Sequence, residues 1–246
     1  MAVPLHNYEF SYRNSKGKPV FVPTKKTRSI AREIYREVGL RFEAKDHFYH
    51  LRKGAHIAAL HAHRAQTYFA RIDLKNFFYS VGRNRVKAAL KAVGVPSPER
   101  YARWSCVRNP YRRPSYALPY GFPQSPLLAT LVLQSSALGA AIEAMPPEIF
   151  RSVYLDDVAI SANDLGALEF AFQRLLGAVE HGNFVLNEGK VVGPAKQIEI
   201  FNCELARGHA EVTEKRVSEF YATPRSAESV AGFETYRASV AVGSAI

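Results

Sequence analysis

Cysteine is scarce in the 246-residue sequence, which contains only Cys106 and Cys203. Two cysteines so far apart offer neither a disulfide framework nor a cysteine-rich zinc site. The opening residues, MAVPLHNYEF, also lack the basic and then apolar layout of a secretory signal. A reducing cytoplasm is therefore the expected setting of the chain.

Charge is absent from a long central stretch, Ser115 to Ile142, which could span a bilayer if it were helical throughout. Helix-breaking residues interrupt its first half at Pro119, Gly121, Pro123 and Pro126. What remains is an apolar helix from about Leu127 to Ala144, which we expect to be buried in protein rather than exposed to lipid. We therefore expect no membrane partner.

Acidic residues are outnumbered, since 33 lysines and arginines face 22 aspartates and glutamates and give a net charge of +11. Such an excess is typical of proteins that bind phosphate backbones, although ribosomal and membrane-surface proteins share it. The contents of 47% hydrophobic and 12% aromatic residues indicate a globular chain.

The order of the predicted elements indicates an α+β architecture around an antiparallel sheet. Residues 8–23 predict a hairpin around Asn14–Gly17, and residues 24–40 predict a helix with Thr27 as a candidate cap. A strand is predicted over residues 68–73. Further predicted elements are a helix over 85–94, a hairpin over 152–161, a helix over 165–182 and short strands over 183–205.

The stretch SVYLDDVAIS places two adjacent carboxylates, Asp156 and Asp157, in an apolar run that favours strands. One interpretation is the polar tip of a hairpin. The other is a metal site, because Asp73 ends the predicted strand YFARID and can project beside such a tip. Three converging carboxylates would repel one another unless cations lay between them. Magnesium ions roughly 4 Å apart are a known arrangement for in-line phosphoryl displacement, so the three aspartates are candidate metal ligands.

Four motifs, DLKNFFYSV, LPYGFPQSPLLATL, YLDDVAIS and NFVLNEGKV, occur in the order and at about the spacing of the palm motifs of reverse transcriptases. Over residues 8–205 the chain resembles bacterial members of that family, similar to retron, group II intron and defence-associated enzymes. The resemblance implies an α+β right-hand polymerase fold, with fingers, an antiparallel palm sheet and a reduced or missing thumb. It assigns residues 1–67 to the fingers and template-side segment, 68–206 to the palm and 207–246 to a short remnant of the thumb or connection.

The resemblance also implies the catalytic residues. Asp73 resembles the first metal-binding aspartate, with the backbone carbonyl of Leu74 as a further ligand. Asp156 resembles the aspartate that shares both metals, and Asp157 resembles its less essential neighbour. The implied cofactor is a pair of Mg²⁺ ions, for which Mn²⁺ can substitute.

Residues that bind the nucleotide are implied in the same way. Phe78 resembles the steric gate that excludes a ribose 2′-OH, although its spacing fits core packing beside Phe77 equally well. Arg13 and Lys18 resemble cations that bind the triphosphate, although a solvated basic turn would look the same.

The segment LPYGFPQSP departs from the common form of its motif, which has Gln where Tyr120 stands. Either Gln124 or Tyr120 is expected to line the nascent base pair. Lys190 in NEGKV resembles the lysine placed near the leaving pyrophosphate, and a surface turn would present a lysine in the same way.

Nucleic-acid contacts are expected from two basic segments. Arg52, Lys53 and Arg64 fall in a segment that resembles the one before the first palm motif of retron-like enzymes, and they are expected to contact phosphates. In ERYARWSCVRNPYRR, aromatic residues are candidates to stack on bases, namely Tyr101, Trp104 and Tyr111. The alternative for this block is a solvated helix with a buried Trp.

Histidines cluster at His50, His56, His61 and His63. Their spacing gives no tetrahedral set with a nearby cysteine, so a zinc site is disfavoured.

The resemblance therefore implies RNA-templated DNA synthesis by two-metal nucleotidyl transfer to a primer 3′ end, in a phage-defence or retron-like system of the bacterial cytoplasm. Expected partners are an RNA template, a DNA or RNA primer and deoxynucleoside triphosphates, with a non-coding RNA and a partner protein as further candidates. The alternative is a catalytically silent polymerase-fold scaffold that binds nucleic acid in a defence complex. Phe78 and the YLDD box disfavour an RNA-dependent RNA polymerase. Because about thirty residues follow residue 215, we expect low processivity or dependence on a partner.

Overall fold

The structure is a computed structural model that describes residues 5–243. The described residues exclude 1–4 and 244–246. Residues 1–4 begin the stretch MAVPLHNYEF, so this part of the prediction about a secretory signal lies outside the described residues. The chain forms two compact units, each drawn from three separate segments. The segments of the first unit fall within Met1–Lys45, Leu74–Ala140 and Ala178–Val185, and those of the second within Asp46–Asp73, Ala141–Gly177 and Leu186–Ile246.

Strands and helices are interspersed along the chain, often in groups of two or more. Among residues 5–243 the strands are β1 (Tyr8–Arg13), β2 (Pro19–Pro23), β3 (Tyr68–Asp73), β4 (Val107–Arg108), β5 (Tyr116–Ala117), β6 (Phe150–Tyr154), β7 (Asp157–Ala162), β8 (Val192–Ala195), β9 (Gln197–Ile200), β10 (Cys203–Ala206) and β11 (His209–Val212). The α-helices are α1 (Lys25–Gly39), α2 (Ala55–His63), α3 (Phe77–Ser80), α4 (Arg83–Ala92), α5 (Pro98–Ser105), α6 (Ser125–Gln134), α7 (Ala137–Glu143), α8 (Leu165–His181), α9 (Glu214–Tyr221) and α10 (Ala227–Ala241). Short 3₁₀ helices occur at Tyr49–Leu51 and Glu188–Lys190.

In the first unit, the predicted N-terminal hairpin and the helix after it are both present. β1 pairs antiparallel with β2, and the Gly17 N–H donates to the Asn14 carbonyl across the turn at 2.8 Å. The cap of α1 is Thr24, whose side chain accepts a hydrogen bond from the Thr27 N–H. Thr24 has extended backbone geometry, as a capping residue requires, so the assignment of Thr27 as the cap is wrong.

The apolar run predicted as one helix from Leu127 to Ala144 instead forms α6 and α7, which are bent by 73°. The hydroxyls of Ser135 and Ser136 donate back to carbonyl oxygens of α6 and help to end that helix. A Cβ atom added at Gly139 would collide with carbonyl oxygens at the end of α6, so the bend requires glycine there. No single helix within residues 5–243 is long and apolar enough to cross a membrane, and α6 with α7 reaches that length and composition only as a bent pair.

The second unit is built on a four-stranded antiparallel sheet with the order β6-β7-β3-β8. β3 has a neighbour on each side, and its residues Phe69, Ala70 and Ile72 are fully buried. An apolar core joins Phe69 and Ala159 to side chains of a second sheet, β11-β10-β9, and of helices α2, α9 and α10. The predicted α+β class with an antiparallel sheet is confirmed.

Helix α2 is attached to the four-stranded sheet through a buried histidine. His63 Nδ1 lies 2.7 Å from the Ser161 hydroxyl on β7, and its Nε2 lies 2.8 Å from the Ser152 hydroxyl on β6. Burial lowers the pKa of His63 to about 3, so its ring is neutral near pH 7. His63 therefore links one helix to two strands.

Candidate active site

The end of β3 places one aspartate directly beside the start of β7. β3 and β7 pair antiparallel, and Asp73 lies opposite Asp157 in their register. Side chains that face each other across such a pair have Cβ atoms about 5 Å apart. Asp73 is only 3% exposed. Two carboxylates therefore meet at one end of adjacent strands, as the sequence predicted.

Asp156 lies in the tight turn that joins β6 to β7. Tyr154 pairs with Asp157 across the hairpin, which leaves Leu155 and Asp156 as the two loop residues. Leu155 has a positive φ of 58°. The Asp-Asp pair is thus a hairpin tip, and the same hairpin brings it beside Asp73. The two interpretations of this stretch in the sequence are compatible.

The segment NEGK supplies the polar partners of Asp73. Asn187 Nδ2 donates to Asp73 Oδ1 at 2.9 Å, and Lys190 Nζ donates to Asp73 Oδ2 at 2.7 Å. The backbone is also fixed, because the Asn187 N–H donates to the Asp73 carbonyl at 2.8 Å. Sequence analysis singled out Lys190 but missed Asn187, although both belong to the motif NFVLNEGKV.

The three carboxylates create an unfavourable concentration of negative charge. Burial raises the pKa of Asp157 to about 7, and the charges of Asp156 and Asp73 add to the increase, while Lys190 and Arg71 oppose it. Burial lowers the pKa of Lys190, but its hydrogen bond to Asp73 and the charges of the three aspartates outweigh this, and the pKa is raised overall. The site therefore favours additional positive charge.

The donor set is suited to a divalent cation. Carboxylate oxygens are the ligands that Mg²⁺ prefers, and the raised pKa of Asp157 reports a charge that a cation would relieve. Within residues 5–243, no group of three or more His, Cys, Asp or Glu side chains is arranged as a ready metal cage. At Asp73 the Lys190 ammonium instead provides the positive charge. The Lys190 side chain is 52% exposed, so about half of its surface is in contact with solvent.

A pocket of about 370 Å³ opens beside the two adjacent aspartates. Its walls include Tyr154, Leu155, Asp156 and Asp157, together with His56, Phe201, Asn202, Arg216 and Tyr236. The His56 ring packs against the Tyr154, Phe201 and Tyr236 rings with centroids 5.7, 5.8 and 5.7 Å away. The sequence did not indicate Arg216 or Tyr236, because the pattern of apolar residues is weak after residue 207.

In the first unit, three of the residues considered for nucleotide binding lie together. Phe78 is 6% exposed and meets the Tyr120 ring edge-on at 4.8 Å. Lys18 Nζ donates to the Tyr120 hydroxyl at 3.3 Å and lies 5.2 Å from its ring centroid. Phe77 is 1% exposed and packs beside Phe184, with ring centroids 5.8 Å apart. The roles of Phe78 and Lys18 stay predictions. Leu74, predicted to add a carbonyl ligand, lies in the first unit, and its side chain is buried.

Two other nucleotide-binding predictions have different outcomes. Arg13 is exposed at the end of β1, and its Nη1 donates to the Gly17 carbonyl of its own hairpin at 2.7 Å. Gln124 is completely buried, with Nε2 3.4 Å from the Ser105 hydroxyl, so this arrangement does not allow the side chain to line a base pair. The role of Gln124 therefore stays a prediction that this arrangement does not support, whereas Tyr120 contacts Phe78 and Lys18.

The predicted phosphate-binding residues of the second unit are accessible. Arg52 and Lys53 are exposed, and Arg64 is partly exposed. Arg52 Nη1 donates to the Asp46 carbonyl at 2.6 Å, and its guanidinium stacks on the Tyr49 ring.

The aromatic block of the first unit is less open. Lys26 Nζ lies 5.0 Å from the Trp104 ring centroid and covers one face of that ring. Tyr101 is 5% exposed, so stacking of this ring on a base is excluded in this arrangement. Tyr111 is 43% exposed.

Comparison with solved structures shows a polymerase-like fold. One similar structure is Candida albicans telomerase with a telomeric RNA fragment (10% identity, TM-score 0.54, covering 86% of this chain and 40% of that chain). Another is apo telomerase from Candida tropicalis (11% identity, TM-score 0.53, covering 77% of this chain and 51% of that chain). A foamy viral protease-reverse transcriptase in complex with an RNA/DNA hybrid is also similar (13% identity, TM-score 0.51, covering 92% of this chain and 26% of that chain). This chain thus spans between a quarter and a half of those chains, and at such identities the likeness establishes the fold alone.

Comparison of sequences identifies the family. Among curated proteins, none matches this chain. The family described as "Reverse transcriptase (RNA-dependent DNA polymerase)" matches residues 14–204. The matched region contains the three aspartates, Lys190 and the cluster around Phe78. Because the match covers most of the chain and includes the strands and turn that carry this site, the chain belongs to the reverse transcriptase family.

Proposed function

We propose that this chain synthesises DNA on an RNA template by adding deoxynucleotides to a primer 3′ end. The observation that carries the proposal is the β3–β7 register, which brings Asp73 opposite Asp157 and beside the turn that holds Asp156. Membership of the reverse transcriptase family supports RNA-templated DNA synthesis in general.

In the proposed mechanism, Asp73 and Asp156 are the essential ligands of two Mg²⁺ ions, with Asp157 beside them and the Leu74 carbonyl as a further ligand. When bound, the ions supply a charge clamp for the attacking and leaving oxygens of an in-line displacement. Catalysis by the chain is then a matter of positioning and charge neutralisation. Mn²⁺ has the same preference for oxygen ligands and is proposed as a substitute.

Lys190 has two positions in this proposal. In the structure described here its ammonium neutralises Asp73. With metal and nucleotide bound, the ammonium is released to the leaving pyrophosphate, where a cation or proton donor stabilises the developing charge. The substantial exposure of its side chain supports such a movement.

Residues of the first unit are proposed to select and hold the nucleotide. Phe78 excludes a 2′-OH, Tyr120 supports Phe78 through its ring contact, and Lys18 with Arg13 binds the triphosphate. The contacts among Phe78, Tyr120 and Lys18 support a shared task for these three side chains. Arg52, Lys53, Arg64 and Trp104 are proposed to contact the template and primer.

The proposed partners are an RNA template, a DNA or RNA primer and deoxynucleoside triphosphates. The similar solved structures include complexes with an RNA/DNA hybrid and with a fragment of telomeric RNA. A retron-like or phage-defence role in the bacterial cytoplasm, with a non-coding RNA and a partner protein, rests on the motif resemblance alone.

The test is incorporation of labelled deoxynucleotides on a primed RNA template with Mg²⁺. We expect Asp156→Ala to abolish incorporation, while the exposed carboxylate control Asp46→Ala keeps it. We expect Phe78→Ala to gain use of ribonucleotides, while Phe170→Ala, which alters a 67% exposed ring on α8, keeps the original preference.

A second candidate function is a silent scaffold that binds nucleic acid. The observation that favours it is the ion pair between Lys190 and Asp73, which compensates part of the site's charge without metal. Template binding with no incorporation under Mg²⁺ or Mn²⁺, even with RNA from the native host, would establish the scaffold and overturn the polymerase.

A further inference from the structure

The turn that carries Asp156 is hydrogen-bonded to a histidine far away in the sequence. The Leu155 N–H lies 3.2 Å from Nδ1 of His50, which is also 3.4 Å from the Val153 carbonyl. A backbone N–H can only donate, so Nδ1 is the acceptor of the Leu155 bond and the ring proton is on Nε2. Burial lowers the pKa of His50 to about 4, which keeps the ring neutral and able to accept near pH 7.

Leu155 needs such a partner because its backbone is strained. Among the two loop residues of the β6–β7 hairpin, only Leu155 has a positive φ, at 58°. A two-residue loop with a positive φ at the first position is the pattern in which glycine is preferred. For a residue with a side chain, the left-handed conformation costs roughly 1–2 kcal/mol. The chain has leucine at this position, one residue before Asp156.

His50 is itself held in place by a rigid segment of the second unit. The Val153 N–H donates to the His47 carbonyl at 2.7 Å, and Phe48 forms a parallel bridge with Val153. Phe48 is fully buried, and His50 follows it within the 3₁₀ helix. The His50 ring also meets the Tyr154 ring edge-on at 5.9 Å. The imidazole is therefore anchored to β6 and directed at the turn that β6 enters.

We propose that His50 is a positioning residue of the active site, whose Nδ1 holds the strained Leu155 turn and thereby fixes Asp156 for metal binding. For its kinetic consequence this proposal rests on the proposed polymerase function. It assigns a role to one member of the histidine cluster that differs from metal ligation.

The experiment compares His50→Phe, which keeps an aromatic ring but loses the acceptor, with His50→Asn, whose side-chain oxygen can take the place of Nδ1. His209→Phe, on β11, is the matched control. Mg²⁺ affinity is measured by calorimetry, exchange of the Leu155 amide proton by NMR, and incorporation by steady-state kinetics. We expect His50→Phe to speed amide exchange, to weaken Mg²⁺ binding and to lower kcat about tenfold, equal to about 1.4 kcal/mol, with an unchanged KM for primed template. His50→Asn should recover most of each loss.

A glycine at the turn separates positioning from general stability. Glycine adopts a positive φ without strain. His50→Phe should therefore reduce kcat and Mg²⁺ affinity much less in a Leu155→Gly background than in the wild-type background. Equal losses in both backgrounds, or wild-type amide exchange and Mg²⁺ affinity in His50→Phe, would overturn the proposal. If wild type incorporates no nucleotide, the proposed function fails, whereas amide exchange and Mg²⁺ affinity still decide the role of His50.

Discussion

At the scale of single residues, the site contains a carboxylic acid whose proton is held near neutral pH. The pKa of Asp157 is raised from 3.8 to about 7, chiefly by burial and then by the two other aspartates. The folded chain thus binds this proton more tightly than the unfolded chain does. By linkage, this stabilisation is present below about pH 4 and is lost as the pH rises through about 7.

Replacing Asp157 by Asn removes the titrating group and keeps the shape of the side chain. We expect Asp157→Asn to be more stable than wild type at about pH 8 without metal, by at most about 4 kcal/mol, because the buried charge is gone. The advantage should shrink as the pH falls towards about 4. Urea unfolding across this pH range measures it, with the exposed Asp46→Asn as the control. A stability difference independent of pH would contradict the prediction.

In the proposed mechanism, the Lys190 ammonium and a metal ion compete for the negative charge of Asp73. We expect Lys190→Met to bind Mg²⁺ more tightly, because the competing cation is removed, and to incorporate nucleotides more slowly, because the leaving group loses its partner. Calorimetry and single-turnover kinetics measure the two effects, with the exposed Lys196→Met as the control. Weaker Mg²⁺ binding in Lys190→Met would show that the lysine supports the metal site instead.

Sequence motifs predicted the charged residues of the site but not the residues that hold them. Asp73, Asp156, Asp157 and Lys190 lie in motifs that can be read locally. His50 acts on Leu155 across more than a hundred residues of chain, and no local pattern indicates such a contact. The burial of Gln124 likewise results from tertiary packing, and the position of this residue in its motif gives no indication of it.

At the scale of elements, helix α2 and the two strands of the β6–β7 hairpin share one buried polar link through His63. We expect His63→Phe to lower the free energy of unfolding by about 2–4 kcal/mol. Two buried serine hydroxyls would lose their hydrogen-bond partner, because a phenyl ring cannot bond to them. Chemical denaturation of the variant measures this loss. Adding Ser152→Ala and Ser161→Ala to His63→Phe should restore part of the stability. A triple variant that is less stable than His63→Phe alone would contradict this explanation.

The break between α6 and α7 depends on one glycine. We expect Gly139→Ala to destabilise the chain by about 1–3 kcal/mol, because the new methyl group would overlap carbonyl oxygens of α6. Gly177→Ala is the matched control, since its new Cβ meets nothing within 4 Å in α8. That variant should be neutral or stabilised by up to about 1 kcal/mol. Thermal unfolding of both variants gives the comparison.

Elements with a strong local signal were predicted best. The hairpin of β1 and β2, helix α1 and strand β3 have turn residues or apolar periodicity that define them. The bend after α6 was missed because the run from Leu127 is apolar on both sides of the break and hydropathy carries no sign of it. Helix α10 was missed because its apolar residues do not follow a single face.

At the scale of the whole molecule, the chain has 33 basic and 22 acidic residues and a net charge of +11. This excess of positive charge predicts that contacts with phosphates dominate the binding of nucleic acid. We expect the affinity for an RNA/DNA hybrid to fall at least about tenfold between about 50 and about 200 mM salt. Asp156→Asn should show the same salt slope, because it removes no cation. Fluorescence anisotropy measures both, and binding that does not depend on salt would contradict the prediction.

The α+β class could be predicted from the order of elements, but the division into units could not. The sequence division at residues 67 and 206 assumes contiguous domains and remains a prediction. The contacts within the structure group residues 74–140 with 178–185, and residues 46–73 with 141–177. Such groupings depend on pairings between distant segments, which a pass along the sequence does not show.

The interleaving of the two units has a consequence for how the chain is made. The first unit uses residues 178–185, so it cannot be completed until the ribosome has delivered Val185. The second unit waits longer, because β8 to β11 and the helices after them all follow that point. The buried strand β3, for example, emerges well before its sheet partners β7 and β8, so its apolar residues stay exposed on the nascent chain until those strands follow. Chaperone binding during translation is expected to matter more for this protein than for one whose domains are consecutive.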